Sequence, residues 1–289
     1  MIIFVRRSAA AVVLGAALVG CGSGTGASRG SLATQPSASA SSASGQPAPA
    51  PSPERAAPPT LAAGPGGLTP VFERAFDTRT KTVALTFDAD MTADQGPRAA
   101  GGEHFDNPAL IASLRRLKVP ATVFMTGRWA EEYPDQARSI GRDPLFEIAN
   151  HSYSHHAFTS PCYGLPTVSG QRMRTDVERA FAAFRKAGAR NVVPYFRFPG
   201  GCYDDGALRA LAPAKVTAVQ WDVVSGDAFA RDGEAVAEQV LAGVRPGSVV
   251  VMHCTRSAAP VTEQAVLRIV PELRERGYRF VKVSELMER

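Results

Sequence analysis

From about residue 70 onward, the apolar residues fall into short blocks of two alternating kinds. Residues 82–87 (TVALTF), 121–125, 146–149, 192–198, 216–224, 249–253 and 278–283 are compact runs rich in β-formers and read as strands. Between them, residues 109–117, 172–186, 234–244 and 263–276 repeat their apolar positions three and four apart, the spacing of a helix with one buried face. Repeated β-then-α units of this length predict an α/β fold, a parallel sheet covered by helices, either as an open doubly wound sheet or as a barrel. In a barrel the loops after the strands converge at one end, which is where active sites are built.

Residues able to do chemistry collect at that end. Asp88 and Asp90 follow the first run, His151 and His155 the third, and Arg197 lies in the fourth. Asp222 and Asp227 come after Trp221, and His253 closes the 249–253 run. Four of the five histidines follow predicted strand ends. In Asn150-His151-Ser152-Tyr153-Ser154-His155-His156, two imidazoles stand four residues apart, a spacing that aims both from one face of a helical turn at a common ion. Two His and a carboxylate leave positions open for water, as catalytic zinc requires, although non-haem iron uses a similar triad. No Gly-rich G-x-G-x-x-G and no P-loop follows a strand, which disfavours nucleotide binding, and no CxxC pair offers a cysteine zinc site.

The first 69 residues are of another kind. Arg6 and Arg7 precede an apolar run over residues 9–19, too short to span the roughly 30 Å hydrocarbon core as a helix and read as a cleaved signal peptide. Leu18-Val19-Gly20-Cys21 resembles the bacterial lipoprotein box. The resemblance implies a signal peptide over residues 1–20, a lipid on Cys21, and an extracytoplasmic protein held at the cell membrane by that lipid. All but eight of residues 22–69 are Gly, Ala, Ser, Thr or Pro, so residues 21–69 are expected to be a disordered linker reaching toward the cell wall. Residues 70–289 are then one catalytic domain, expected as a monomer.

Charge sharpens this division. The chain carries a formal +5, but residues 1–69 hold four Arg and one Glu, leaving 28 basic and 26 acidic residues for the domain. A nearly neutral domain without aromatic-basic interleaving offers nothing to nucleic acid.

Five strings occur in order: LTFDAD (residues 85–90), HSYSH (151–155), FRFPGG (196–201), WDVVSGD (221–227) and VMH (251–253). Together they resemble the NodB-homology polysaccharide deacetylases, over roughly residues 79–289. The resemblance implies a distorted (β/α) barrel and metal-dependent hydrolysis of acetyl groups on sugars, with a divalent metal, Zn2+ first among them. It makes His151 and His155 metal ligands and an aspartate of the first motif the third. The family has adjacent aspartates there, base then ligand; here Ala89 separates them. We expect Asp88 to be the base and Asp90 the ligand, reached through a small bulge, with the reverse assignment of Asp88 as ligand left open. Arg197 would orient Asp88, and Asp227 would orient His253, the acid for the leaving amine. The backbone N–H of Gly200, where the family more often has Tyr, would hold the oxyanion. Ala228 stands where the family usually has Trp. Trp129 and Trp221 are read as fold or surface residues. Cys162 and Cys202 lie on loops that should converge at the barrel mouth and are expected to pair, leaving Cys254 a buried free thiol.

The expected activity is removal of N-acetyl groups from cell-wall or extracellular polysaccharide of the N-acetylglucosamine type. Two alternatives stay open: an O-acetyl esterase on acetylated xylan or a similar polymer, and a catalytically inactive polysaccharide-binding surface protein.

Overall fold

A computed structural model describes residues 57–76 and 79–288. The expected signal peptide, Cys21 and most of the expected linker lie outside these residues. Among the described residues, nine strands form one parallel sheet: β1 (Val71–Phe72), β2 (Thr82–Ala89), β3 (Ala121–Met125), β4 (Phe146–Asn150), β5 (Val192–Phe196), β6 (Thr217–Val219), β7 (Val223–Val224), β8 (Ser248–His253) and β9 (Arg279–Phe280). Their order is β1-β6-β5-β4-β3-β2-β8-β7, with β9 also against β2. Helices Pro108–Arg116, Gly170–Ala187, Gly233–Gly243 and Thr262–Glu275 lie where the sequence predicted them. This is the expected barrel, curled and distorted, with β6 and β7 consecutive in the chain but not neighbours in the sheet.

Strand alternation sorts the core into layers. On β2, Val83, Leu85, Phe87 and Ala89 face the helices with Leu110, Leu114, Ile269 and Leu273, whereas Ala84 packs inward with Phe124, Ala149, Tyr195 and Val249. Helix Val283–Met287 closes the lower end, placing Val283 and Leu286 in the inner cluster. There Glu147 accepts from Thr122 Oγ1 (2.8 Å) and Ser284 Oγ (2.6 Å), and burial raises its pKa despite these donors.

Two expectations change. The run at 216–224 is not one strand: β6 pairs with β5 and β7 with β8, and Gln220–Asp222 crosses between them. The crossing carries Asp222 to the N-terminal end of β8, where it accepts from Val249 N (2.8 Å) and Ser248 Oγ (2.9 Å), away from the mouth. Residues 57–69, expected as linker, are also fixed against the barrel. Leu61 N donates to Thr217 Oγ1, Tyr195 Oη to the Pro59 carbonyl, and buried Thr69 is bonded to Leu208. A few apolar anchors and these bonds suffice to hold the end of a Pro/Gly-rich segment against a preformed barrel. Among the described residues, no helix is long and apolar enough to cross a membrane.

Candidate active site

Each inward column of side chains ends, at the C-terminal edge of the sheet, in a residue with chemistry. Ala84, Thr86 and Asp88 share one parity on β2; Glu147, Ala149 and His151 on and just after β4; Val193, Tyr195 and Arg197 on and after β5; Val249, Val251 and His253 on β8. The same alternation explains Asp-Ala-Asp. Asp88 pairs with Phe124 and Ala89 with Met125 in unbroken register, so the expected bulge is absent. None is needed, because a period of two already places Asp88 and Asp90 on one face, with fully buried Ala89 on the other.

Asp88 is buried, and its Oδ1 accepts from Arg197 Nη1 at 2.7 Å. Arg197, fully buried, also donates from Nε to the Val219 carbonyl (3.1 Å) and from Nη2 to that of Gln220 (3.3 Å). These are the carbonyls freed where β6 ends, so the broken strand and the ordered guanidinium are one feature. The guanidinium carbon lies 3.9 Å from the Phe124 ring centroid and 5.3 Å from that of Trp221. Burial pushes the Asp88 pKa up, but Arg197, His151 and His253 outweigh it and hold it below the usual carboxylate value.

The histidine motif is not a helical turn. Residues 151–156 form a loop in which Ser152 (φ 69°) and His155 (φ 57°) take left-handed backbone conformations. Ser152 N donates to Asn150 Oδ1 (2.8 Å) and His155 N to Ser152 Oγ (2.9 Å), and these local bonds turn the chain back so that the rings lie 5.0 Å apart. His151 Nδ1 lies 2.9 Å from the Arg197 carbonyl. That bond needs the proton on Nδ1 and leaves the Nε2 lone pair 3.7 Å from Asp88 Oδ2. His155 Nε2 is likewise 3.7 Å from Asp90 Oδ2. Burial drives His155 down to about 4 and lowers His151, each against the pull of its aspartate.

At neutral pH, therefore, two neutral imidazoles face two carboxylates, and the one whose tautomer is fixed, His151, turns a bare lone pair toward Asp88, an arrangement that a cation resolves. Ligands about 2.0–2.2 Å from a tetrahedral ion lie roughly 3.3–3.6 Å apart, close to the 3.7 Å between His155 Nε2 and Asp90 Oδ2. Among the described residues no three His, Cys, Asp or Glu side chains are already closed around a common point. The donors stand instead as two pairs, and the chemistry of the set fits a divalent metal. Asp88 already has a fixed counter-cation in Arg197. Asp90 has none: its Oδ1 accepts from the Thr255 hydroxyl, and its backbone N–H donates to that hydroxyl's oxygen (3.2 Å).

Across the mouth, His253 Nδ1 meets Asp227 Oδ1 at 2.8 Å. Asp227 also accepts from Ser225 Oγ (2.8 Å), Thr262 Oγ1 (2.6 Å) and His253 N (2.7 Å), which fills the four acceptor positions of a carboxylate. Burial opposes the charged imidazolium, yet Asp227 raises His253 to about 9. The Pro199–Gly201 turn follows β5, with Gly200 at φ 66° and Gly201 at φ 73°. Gly201 N bonds to the Phe198 carbonyl (2.8 Å), so the turn's own bond is made by Gly201, next to Gly200. Cys162 and Cys202 are joined, with Cα atoms 6.0 Å apart, and Cys254 is free and buried, its thiol pushed up to about 12 by burial.

Asp88, Asp90, His151, His155, Arg197, Asp227 and His253 are thus brought together. Known proteins resemble this chain in sequence and in fold. A family model described as polysaccharide deacetylase matches residues 76–219. A chitooligosaccharide deacetylase of Sinorhizobium fredii is 32% identical over 203 residues, covering 65% of this chain and 86% of that protein. The chain belongs to the polysaccharide deacetylase family. A second relative, a peptidoglycan-N-acetylglucosamine deacetylase of Bacillus cereus, is 28% identical over 210 residues, covering 72% of this chain and 88% of that protein. Among solved structures, a CE4 family pseudoenzyme from Bacillus anthracis shares the fold with a TM-score of 0.60 at 25% identity, over 75% of this chain and 69% of that one.

Within this polysaccharide deacetylase, several site residues went unnoticed in the sequence. Thr255 holds Asp90, Ser225 and Thr262 hold Asp227, and Trp221, expected only as a fold or surface residue, backs Arg197. Thr255, two residues past His253, and Ser225, two residues before Asp227, had a signal in that spacing; Thr262 and Trp221 had none.

Proposed function

We propose that the chain is a divalent-metal-dependent deacetylase that hydrolyses N-acetyl groups on N-acetylglucosamine-type polysaccharide of the cell wall or extracellular matrix. One observation carries this reading: two neutral imidazoles face two carboxylates, of which only Asp88 has its own buried cation. Asp90, His151 and His155 would hold the metal, Zn2+ by their chemistry. When bound, the metal supplies Lewis-acid polarisation of the acetyl carbonyl and lowers the pKa of water.

The chain's own residues do the rest. Asp88 Oδ1 is engaged by Arg197, so Oδ2 is the free basic oxygen, facing the cluster, and takes a proton from the attacking water. Arg197 keeps that carboxylate ionised and oriented. The Gly200 N–H donates to the oxyanion as the tetrahedral carbon forms. His253 is anchored through Nδ1 to Asp227, so Nε2–H faces outward and protonates the departing amine. Asp227, saturated by four donors, stays a carboxylate and stabilises the imidazolium.

The relatives named for chitooligosaccharide and for peptidoglycan N-acetylglucosamine support an N-acetylated sugar chain as substrate. The Cys162–Cys202 disulfide supports an oxidising location. With the Arg6-Arg7 apolar leader and the box ending at Cys21, it favours an extracytoplasmic protein anchored to the cell membrane through lipid on Cys21. Fractionation tests the anchor: Cys21→Ser should move the protein from membrane to soluble fractions. Activity is tested by acetate release from N-acetylglucosamine oligomers against acetylated xylan. Release from the xylan alone would make it an O-acetyl esterase, and binding without release from either would make it an inactive wall-binding protein.

A further inference from the structure

A turn without side chains sits beside the cluster, and a neighbouring loop covers it. A Cβ on Gly200 would lie 2.6 Å from Cys162 Sγ, 3.3 Å from Leu165 Cδ1 and 3.4 Å from Tyr163 Cδ2. The space that a residue-200 side chain would enter is already taken by residues 162–165. This loop is held at both ends. At its base Ala157 N donates to the Pro166 carbonyl (2.8 Å) and Val168 N to that of Ala157 (2.9 Å); at its tip Cys162 is bonded to Cys202, one residue beyond the Gly200-Gly201 turn. Leu165 N closes the tip onto the Cys162 carbonyl (2.9 Å).

On this clamped tip Tyr163 has φ 45° and is 89% exposed. A bulky residue at positive φ is uncommon and costs conformational energy. Single exposed aromatics are ordinary. One held by a covalent cross-link against the turn that follows Arg197, with its ring turned to solvent, is placed for a ligand. The apolar C–H face of a pyranose ring is the ligand chemistry that an exposed aromatic face beside a sugar-deacetylating cluster accepts.

We propose that Tyr163 is a stacking platform for a sugar ring of the bound chain, supplying from the clamped loop the aromatic wall that residue 200 lacks. The proposal rests on the N-acetylglucosamine reading above for the identity of the ligand. Tyr163 is a positioning residue, and its ring rather than its hydroxyl does the work.

Calorimetric titration of the full chain with chitotetraose tests it, because binding is read whether or not acetate is released. Tyr163→Ala should weaken the Kd about tenfold or more, and Tyr163→Phe should leave it within about twofold. Phe76→Ala is the control: Phe76 is 90% exposed and follows Ala75, which bonds to Gly247 at the far end of β8, so it should leave the Kd unchanged. The Cys162→Ser/Cys202→Ser double variant, which frees the loop tip, should weaken binding in the same direction. Equal affinity in Tyr163→Ala and wild type overturns the proposal, as does a wild-type chain that binds no chitotetraose. Binding without acetate release contradicts the deacetylase reading alone and leaves the Tyr163 comparison to be judged on its Kd values.

Discussion

Arg197 and Asp88 meet through a 2.7 Å bond with both side chains buried, and the rest of the guanidinium is spent on the carbonyls of Val219 and Gln220. One arginine therefore orients the proposed base and seals the place where the sheet changes direction. Arg197→Met leaves Asp88 and two carbonyls without their donor, and should destabilise the fold by about 3–5 kcal/mol in denaturant titrations. Where the variant folds, Asp88 loses its main cation and its pKa rises, so the acid limb of kcat/KM should move to higher pH. The sign follows from linkage: a depressed carboxylate pKa gives stability above its unfolded value that is lost as pH falls through the folded one.

The two aspartates separate by their partners. Asp90→Asn should purify with little metal, because it removes the one carboxylate of the cluster that lacks a fixed cation. Asp88→Asn should keep its metal and lose about 10²–10⁴ in kcat. Metal analysis of the two proteins, each dialysed against the same zinc buffer, checks both halves of the assignment.

His253 is held at about 9 by Asp227, above its ordinary value of 6.5. A raised histidine pKa contributes stability that is complete below about 6.5 and lost as pH rises through about 9. Asp227→Asn should abolish that alkaline loss and bring the alkaline limb of kcat/KM to lower pH. Stability curves and pH–rate profiles of the two proteins between pH 6 and 10 would show it; an unmoved alkaline limb would mean that another group is the acid.

The strands were legible because apolar runs and the turns between them are local signals, and β3 lies over the residues expected. The site was legible for the same reason: period-two alternation carried Asp88, His151, Arg197 and His253 to the tops of inward columns. What escaped was non-local. The 216–224 run breaks because Arg197, far away in sequence, takes its carbonyls. The histidine loop bends at Ser152 and His155, neither of them a glycine, so nothing announced a turn. Helices Gly127–Glu132 and Pro134–Ile140 are too short for their periodicity to stand out. Residues 57–69 look like linker by composition and are fixed only by a barrel surface that composition cannot reveal.

Gly201 offers a check on packing beside the site. At φ 73° it faces Trp221, and a Cβ there would lie 2.6 Å from the indole Cη2. Gly201→Ala should cost about 1–3 kcal/mol through strain and overlap, lowering the thermal midpoint. Because Trp221 backs Arg197, the variant should also lose kcat, whereas Gly170→Ala, which meets open space, should change neither.

This cluster is expected to remove acetyl groups only with the help of a divalent metal. The direct measurement is acetate released from chitotetraose by the full chain as purified, after chelation and dialysis, and after zinc is restored. Release in the first state, loss in the second and recovery in the third is the expected result. Equal release before and after complete chelation, or none in the zinc-restored protein, would contradict it.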